Sequence, residues 1–468
     1  VDRIQLNDVA RVQEISKRVY GFDAGTYSKS LKEEDRKYLL KLDYKISDAH
    51  RLEAKYQYAA GNNANDQSAT KTNLPLTSNW YDRRDTMTTD TLRLMSDWTD
   101  ALSTKFEVST KKVKTEQNPL NGNGFMQADI KNSASALPAD VAKAGTILIG
   151  PDRSRHANEL RNTTNSFGAE ANYLASSHLL TSGVQLESTD IFNLFIQDAN
   201  GRAFYDTIDA FEAKTPSRLN YQNAITNNKN DAAANWSYGV TTVYLQDEWQ
   251  LTPALTARAG IRSELYDASG TIDRNDLFIQ RYGFSNTSDL SGRQAILPRF
   301  GLSYKAAPKL NIRGGFGLFS GGTPNVWVSN VYTNDGVSVD DVSSSNAAQI
   351  NGFDGHNIPA AISSQLVAGD GNVDVMDPNF KIPQSYKFQT GLDYKFDIPS
   401  FVDDVGLELN YSYTKTRYGV IWKDLRRQNP AIGGAQNLPT AIAPDGRAIY
   451  DTTPLTTVGQ EFNVNRGY

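Results

Sequence analysis

An acidic segment in the last third of the chain is the part of the sequence best suited to binding a cation. Residues 314–380 contain no Lys or Arg, but they contain seven aspartates: Asp335, Asp340, Asp341, Asp354, Asp370, Asp374 and Asp377. Asp370, Asn372 and Asp374 have the alternate spacing that opens a calcium-binding loop, although Val375 stands where that motif needs Gly and Lys381 where it needs Glu. The segment therefore predicts either a loop that binds a cation, such as calcium at these three residues, or a basic ligand, or else a solvated acidic loop, and the last is the commoner outcome.

Residues for other chemistry are scattered. The four histidines, His50, His156, His178 and His356, form no His-x-x-x-His pair, and the absence of Cys removes disulfides, thiolate metal sites and Cys nucleophiles. The run from Arg313 to Gly317 is rich in glycine but lies on a predicted strand, where small residues allow bending or the close approach of a neighbour. We therefore assign no catalytic residues, expect no cofactor apart from the possible calcium, and predict that the chain is not an enzyme.

The composition is that of a β-rich chain with long polar loops. Hydrophobic residues make up 39% of it, mean hydropathy is -0.51, and Tyr (23) and Phe (19) far outnumber Met (4). No stretch approaches the run of about 20 apolar residues that a membrane helix needs, so any membrane-spanning part must be a barrel. A net charge of -5 gives no reason to expect nucleic acid. Val1 is not an initiator Met and no signal segment follows it, so we expect a processed or internal fragment.

Apolar and polar residues alternate in pairs of segments joined by short turns. Tyr38, Leu40 and Leu42 share one side of the first segment, and Lys41 and Asp43 share the other. Six hairpins are predicted in this way, at 37–46 with 51–59, 91–98 with 105–112, 167–174 with 179–187, 241–249 with 255–264, 298–305 with 310–319, and 385–396 with 405–416. Their turns are mostly about four residues long, whereas the hairpins are separated by roughly 30 to over 60 residues. This segregation predicts an all-β fold, an antiparallel transmembrane β-barrel with short periplasmic turns and long extracellular loops.

Each predicted hairpin carries an aromatic residue on its apolar side just before the short turn. The six residues are Tyr44, Trp98, Tyr173, Trp249, Tyr304 and Tyr394. Because amphipathic rings prefer the boundary between membrane and water, this row predicts a girdle at the periplasmic rim, in contact with outer-membrane lipid. The alternative is aromatic packing in an ordinary β core.

The direction of the hairpins predicts how the chain is organised. Residues 1–36 are expected to form an extracellular loop with a short amphipathic helix (Val9, Val12, Ile15 and Val19, between Asn7 and Gly21) that packs on other loops. Residues 37–417 hold twelve barrel strands, and residues 418–468 return to the outside. Since closed bacterial barrels keep both ends in the periplasm, we expect these to be about 12 strands of a 22-stranded barrel, with the plug domain and remaining strands absent from this chain.

Several stretches resemble the Oar-like, OmpA-related TonB-dependent transporters of Gram-negative bacteria. They are YLQDEWQLTPALTARAGIR (244–262), FNLFIQDANG (192–201), IGPDRSRHANEL (149–160), RYGFSNT (281–287), PRFGLSYK (298–305) and RGGFGLFSGGTPNVWVSN (313–330). The resemblance implies uptake across the outer membrane, driven by the TonB complex through a plug inside the barrel. It fixes no ligand and carries over no site residue.

The sequence does not exclude two other functions. The barrel could be an anchor for adhesion or surface assembly, with loops that bind a surface protein or a peptide. The chain could also be a soluble β-rich carbohydrate-binding protein or glycosidase, but acidic residues are too common to nominate the two carboxylates that a glycosidase needs.

Overall fold

Twelve long strands form a single sheet in the structure, which is a computed structural model and describes residues 3–66, 68–132, 145–321, 325–369, 371–425, 441–442, 448–449 and 462–467. Each strand pairs antiparallel with the next one along the chain. The strands are β1 (Glu34–Lys45), β2 (His50–Asn65), β3 (Tyr81–Asp97), β4 (Leu102–Pro119), β5 (Ala157–Ala175), β6 (His178–Ile196), β7 (Ala234–Thr252), β8 (Leu255–Gly270), β9 (Gln294–Ala307), β10 (Leu310–Ser320), β11 (Gln384–Ile398) and β12 (Val402–Tyr418).

All six predicted hairpins are confirmed, with the short turns at one end of the sheet. The strands are longer than predicted at the opposite end: β5 begins at Ala157, where the sequence predicted residue 167, and β3 begins at Tyr81 instead of residue 91. In the extensions of β3 and β5 most side chains are polar, as in the pairing of Asn62 with Arg84, so no regular alternation of hydrophobicity marks them. The backbone ladder continues regardless, since it does not depend on side-chain type. The long connections are therefore shorter than predicted, the shortest being residues 66–80.

The outer strands β1 and β12 each pair with one neighbour among the described residues. The sheet is therefore open here, and the predicted total of 22 strands stays a prediction.

The residues before β1 and the long connections between hairpins fold together, and we call them the loop assembly. Its centre is a six-stranded mixed sheet whose order is Val339–Ser344, Arg218–Ala224, Arg202–Tyr205, Gln127–Lys131, Thr146–Ile149 and Asn73–Pro75. Its helices are Leu6–Tyr20, Ile208–Glu212, Asp276–Tyr282, Asn325–Thr333, Ala347–Ile350 and Ala360–Ser363, with 3-10 turns at Thr77–Asn79, Arg153–Arg155 and Lys229–Ala232. Smaller sheets join Val373–Met376, Phe462–Gly467 and Val420–Asp424, and Ala441–Ile442 with Ala448–Ile449.

The largest hydrophobic core lies in the loop assembly and not in the twelve-stranded sheet. The predicted amphipathic helix is confirmed as Leu6–Tyr20, which begins two residues earlier than expected, and Gly21 ends it in the left-handed conformation at φ 68°. Val12 and Ile15 on its inner face are fully buried against the six-stranded sheet. No helix in the described ranges is long and apolar enough to cross a membrane.

Candidate functional site: the two faces of the sheet and the loop assembly

One side of the twelve-stranded sheet, which we call the apolar face, is covered by nothing in the described part of the chain. Leu40 is 57% exposed, Ile261 51% and Leu409 56%, and the same holds for most of the large apolar side chains along this face. A water-soluble protein rarely leaves a contiguous apolar surface of more than a few hundred Å² open. This face therefore requires an apolar environment outside the chain.

The opposite side, the charged face, is crossed by a ladder of ion pairs between neighbouring strands. Glu53 on β2 binds Lys41 on β1 at 2.9 Å and Arg93 on β3 at 3.2 Å. Arg93 also donates from Nε to Glu107 on β4 at 2.7 Å. A second group lies on β10 to β12, where Arg313 binds Asp393 and Glu408. Alternating charges of this kind suit a wall that faces water or a polar protein surface.

The six predicted aromatic residues all lie at the short-turn end and point outwards from the apolar face. Their exposed fractions run from 41% for Tyr394 to 65% for Tyr44. Two of them have a histidine partner that the sequence did not indicate: His50 lies 5.0 Å from Trp98, and His178 lies 5.0 Å from Trp249, ring centre to ring centre. The structure thus brings the row together at one end, and its place at the membrane boundary stays a prediction.

The acidic segment is only partly a solvated loop. Asp335 is 1% exposed, and its carboxylate accepts from the backbone N–H groups of Val337 at 2.7 Å and Ser338 at 2.8 Å. Asp340 and Asp377 are also buried. The expectation of a solvated loop was wrong at these positions, because carboxylates that cap backbone donors can be buried within a folded segment.

Two of the three residues of the predicted calcium site lie in the described part, and Asp370 lies outside it. Asn372 donates to Asp341 at 3.3 Å, and Asp374 accepts from the amide of Asn334 at 2.8 Å. Burial raises the pKa of Asp374 to about 6. Within the described ranges, no three His, Asp or Glu side chains are placed to hold a metal ion. Calcium binding stays a prediction.

A buried polar cluster that sequence reasoning missed joins the connection 120–156 to the connection 197–233. Arg153 donates to Asp198 at 2.8 and 3.0 Å, and Arg202 donates to Asp129 at 2.6 and 3.2 Å. Desolvation raises the pKa of Asp198 to about 6, against the pull of Arg153. In the sequence Arg153 and Asp198 fall within stretches that resemble the transporter family, whereas no pattern marks Asp129 or Arg202, because nothing local shows which distant partner each charge has.

His156 sits inside this cluster and is fully buried. Its Nε2 lies 3.1 Å from the carbonyl of Pro151, and its Nδ1 accepts from the backbone N–H of Asn200 at 3.1 Å. Burial lowers the pKa of His156 to about 3, so the neutral ring is the form that the loop assembly holds.

We expect acid to weaken the loop assembly through His156. The unfolded chain binds a proton at this ring near pH 6.5 whereas the folded one does not until about pH 3, so this contribution to stability is complete above 6.5 and falls as the pH drops between the two values. The lost stability should appear as weaker protection of the backbone amides of residues 145–156 at pH 5 than at pH 7.5. Amide exchange followed by mass spectrometry measures this protection. In the His156→Asn variant this protection should change less between the two pH values than in the wild type. An equal change in both proteins would contradict the role of His156.

The fold is similar to that of known outer-membrane proteins. It matches the outer membrane transporter YddB from Escherichia coli with a TM-score of 0.54 at 10% identity, covering 92% of this chain and 43% of that one. The siderophore receptor PirA from Acinetobacter baumannii gives 0.47 at 10% identity, covering 93% of this chain and 48% of that one. The ferric-catecholate import receptor Fiu from E. coli gives 0.45 at 12% identity, covering 92% and 55%. This chain thus spans about half the length of each.

The family comparison covers most of the sequence. No curated protein sequence matches the chain. The family described as "Outer membrane beta barrel domain" matches residues 16–465, which include all twelve long strands and the connections between them. The exposed apolar face is the surface that such a barrel turns to lipid. The chain belongs to the outer membrane beta barrel domain family, and the cell outer membrane is its location.

Proposed function

We propose that the chain contributes twelve strands to the barrel of a TonB-dependent transporter, which takes up a ligand across the outer membrane of a Gram-negative bacterium. The observation that carries the proposal is the contrast between the two faces: an exposed apolar face for lipid and an ion-paired face for a wet lumen or a plug. In such a barrel the loop assembly lies outside the cell and recognises the ligand. Transport is driven by the TonB complex through a plug, as the sequence resemblance implies.

An anchor or adhesion protein is the second candidate, and one observation favours it. The loop assembly has its own core, built from four separate connections and the helix Leu6–Tyr20. A folded surface module of this kind could hold a surface protein or a peptide without any transport. In neither case do we assign a catalytic role.

Nutrient-limited growth distinguishes the two candidates. A deletion of the gene and an inactivated TonB protein should share at least one growth defect across a panel of single iron, carbon, nitrogen and phosphorus sources. The wild-type gene should restore growth in the first strain only. A deletion that weakens surface attachment without any such nutrient defect would favour the anchor and contradict transport.

A further inference from the structure

Residues 352–358 of the acidic segment, which we call the strap, pack against the largest core of the loop assembly. The strap is anchored on both sides of its centre: Phe353 is 2% exposed within that core, and Ile358 packs against it. Between these anchors, the carbonyl of Gly355 accepts from the backbone N–H of Met126 at 2.8 Å. The strap therefore joins the acidic segment to a connection more than 200 residues earlier in the chain.

The exposed imidazole of His356, in the strap, faces a carbonyl oxygen with each of its two ring nitrogens. Nδ1 lies 2.8 Å from the carbonyl oxygen of Gly124, and Nε2 lies 3.2 Å from that of Tyr20. A carbonyl oxygen only accepts hydrogen bonds, and a neutral imidazole has one N–H and one lone pair. In the neutral ring one nitrogen therefore directs its lone pair at a carbonyl oxygen, whereas the protonated ring donates to both.

The carbonyl of Tyr20 also lies where a positive charge is favoured. Tyr20 is the last residue of the helix Leu6–Tyr20, and the last four carbonyls of a helix have no partner within it. Together they give the end of the helix a partial negative charge, which attracts a protonated histidine. The helix end and the two carbonyl contacts thus favour the same form of the ring.

Asp354 is the charged neighbour of His356 within the strap. Burial raises the pKa of Asp354, but hydrogen bonds from Asn357 and from the strap backbone, together with the charge of His356, outweigh it and lower that pKa below its ordinary value. The attraction between this carboxylate and the protonated ring acts in the same direction as the carbonyl contacts.

The other elements in contact with the ring bring charges of both signs. Within the described ranges, none of these charged side chains forms a hydrogen bond or an ion pair with the ring, whose direct partners are the two carbonyls. They belong to Lys17, Arg18, Asp23 and Lys214.

We propose that His356 is a pH-sensitive latch, which holds the strap to Gly124 and to the end of the helix Leu6–Tyr20 more tightly when its ring is protonated. An ordinary histidine gains its proton near pH 6.5, so mild acid closes the latch. Its contribution to stability is present in acid and is lost as the pH rises. The response is opposite to that of His156, whose buried ring is held neutral. The latch depends on the loop assembly alone and not on the proposed transport.

Amide exchange on the full-length protein in detergent, measured by mass spectrometry at pH 7.5 and 5.5, tests the latch. Exchange times are scaled to the intrinsic exchange rate at each pH. The readout is the protection of residues 352–358 and of the Met126 amide in the wild type, divided by that in His356→Gln, which carries no charge. We expect this ratio to be about fivefold larger at pH 5.5 than at pH 7.5. His156 is present in both proteins, so its own response cancels in the ratio.

Two further variants serve as controls. His356→Arg has a permanent charge and several donors, so the strap should stay protected at both pH values. His50→Gln removes a histidine at the short-turn end of the sheet, where it lies against Trp98, and should leave the strap within about twofold of the wild type. An equal pH dependence in His356→Arg and the wild type would show that another group titrates and would overturn the proposal. An effect of His50→Gln as large as that of His356→Gln would do the same.

The ratio of wild type to His356→Gln gives the most direct refutation. An equal ratio at both pH values would mean that the neutral ring holds the strap as well as the charged one, and a larger ratio at pH 7.5 would reverse the sign. If His356→Gln does not fold, the wild type is compared with His356→Arg instead. The wild type should then lose protection relative to that variant as the pH rises from 5.5 to 7.5, and a constant ratio would refute the latch.

Discussion

Replacing Leu245 with arginine should destabilise the inserted barrel by about 2–4 kcal/mol, because the charge would enter hydrocarbon. Leu245 lies on the apolar face of β7 and is 54% exposed. It is four residues from Trp249 at the short-turn end, or about 13 Å along an extended strand. That distance places it near the middle of an apolar band about 25 Å tall. Folding into lipid vesicles, titrated with guanidinium chloride and followed by Trp fluorescence, gives the free-energy difference.

The adjacent residue is the matched control. Gln246 has the same depth in β7 but lies on the charged face, where it is exposed and opposite Gly260. Gln246→Arg should change the unfolding free energy by less than about 1 kcal/mol, since the new charge stays in a wet environment. Equal losses for Leu245→Arg and Gln246→Arg would refute the assignment of the two faces.

The twelve-stranded sheet could be predicted because each strand carries its own evidence. Leu255, Ala257 and Ala259 alternate with Thr256 and Arg258, and the structure places the two sets on opposite faces of β8. The short turns fix the pairing of each hairpin at the same time. The helix Leu6–Tyr20 was predictable for the same reason, since its buried residues follow the helical period.

The fold of the loop assembly could not be predicted, because its strands pair with strands that are distant in the sequence. The strand Gln127–Lys131 pairs in parallel with Arg202–Tyr205, which belongs to a different connection. Both strands are short, and a parallel pair between separate connections leaves no turn in the sequence to reveal it.

The two parts of the chain differ in what stabilises them, and this bears on how they would act together. The sheet depends on lipid for its apolar face, whereas the loop assembly buries its own aromatic residues. Because the core around Phe211 contains no residue of the twelve long strands, we expect it to open independently of the sheet. A ligand that binds the loops could then shift their order without disturbing the barrel wall.

Truncation of Phe211 to alanine should open the loop assembly while leaving the sheet folded. The Phe211 ring is fully buried, stacked on Tyr20 at 4.6 Å between ring centres and edge-on to Tyr205 at 5.1 Å. The hydroxyl of Tyr20 also donates to the Phe211 carbonyl at 2.7 Å, which ties the end of the helix Leu6–Tyr20 to this site.

Deleting a buried ring of this size costs about 3–5 kcal/mol, so amide exchange should rise by two orders of magnitude or more in residues 6–20 and 127–131. Residues 241–249 of β7 should keep their protection, because the apolar face and the hairpin ladder are untouched. Tyr27→Ala is the control, since Tyr27 is 52% exposed and its loss should leave exchange unchanged. Faster exchange in β7 as well would show that the loop assembly and the sheet unfold as one unit. Unchanged exchange at residues 6–20 would show that other contacts hold the helix in place.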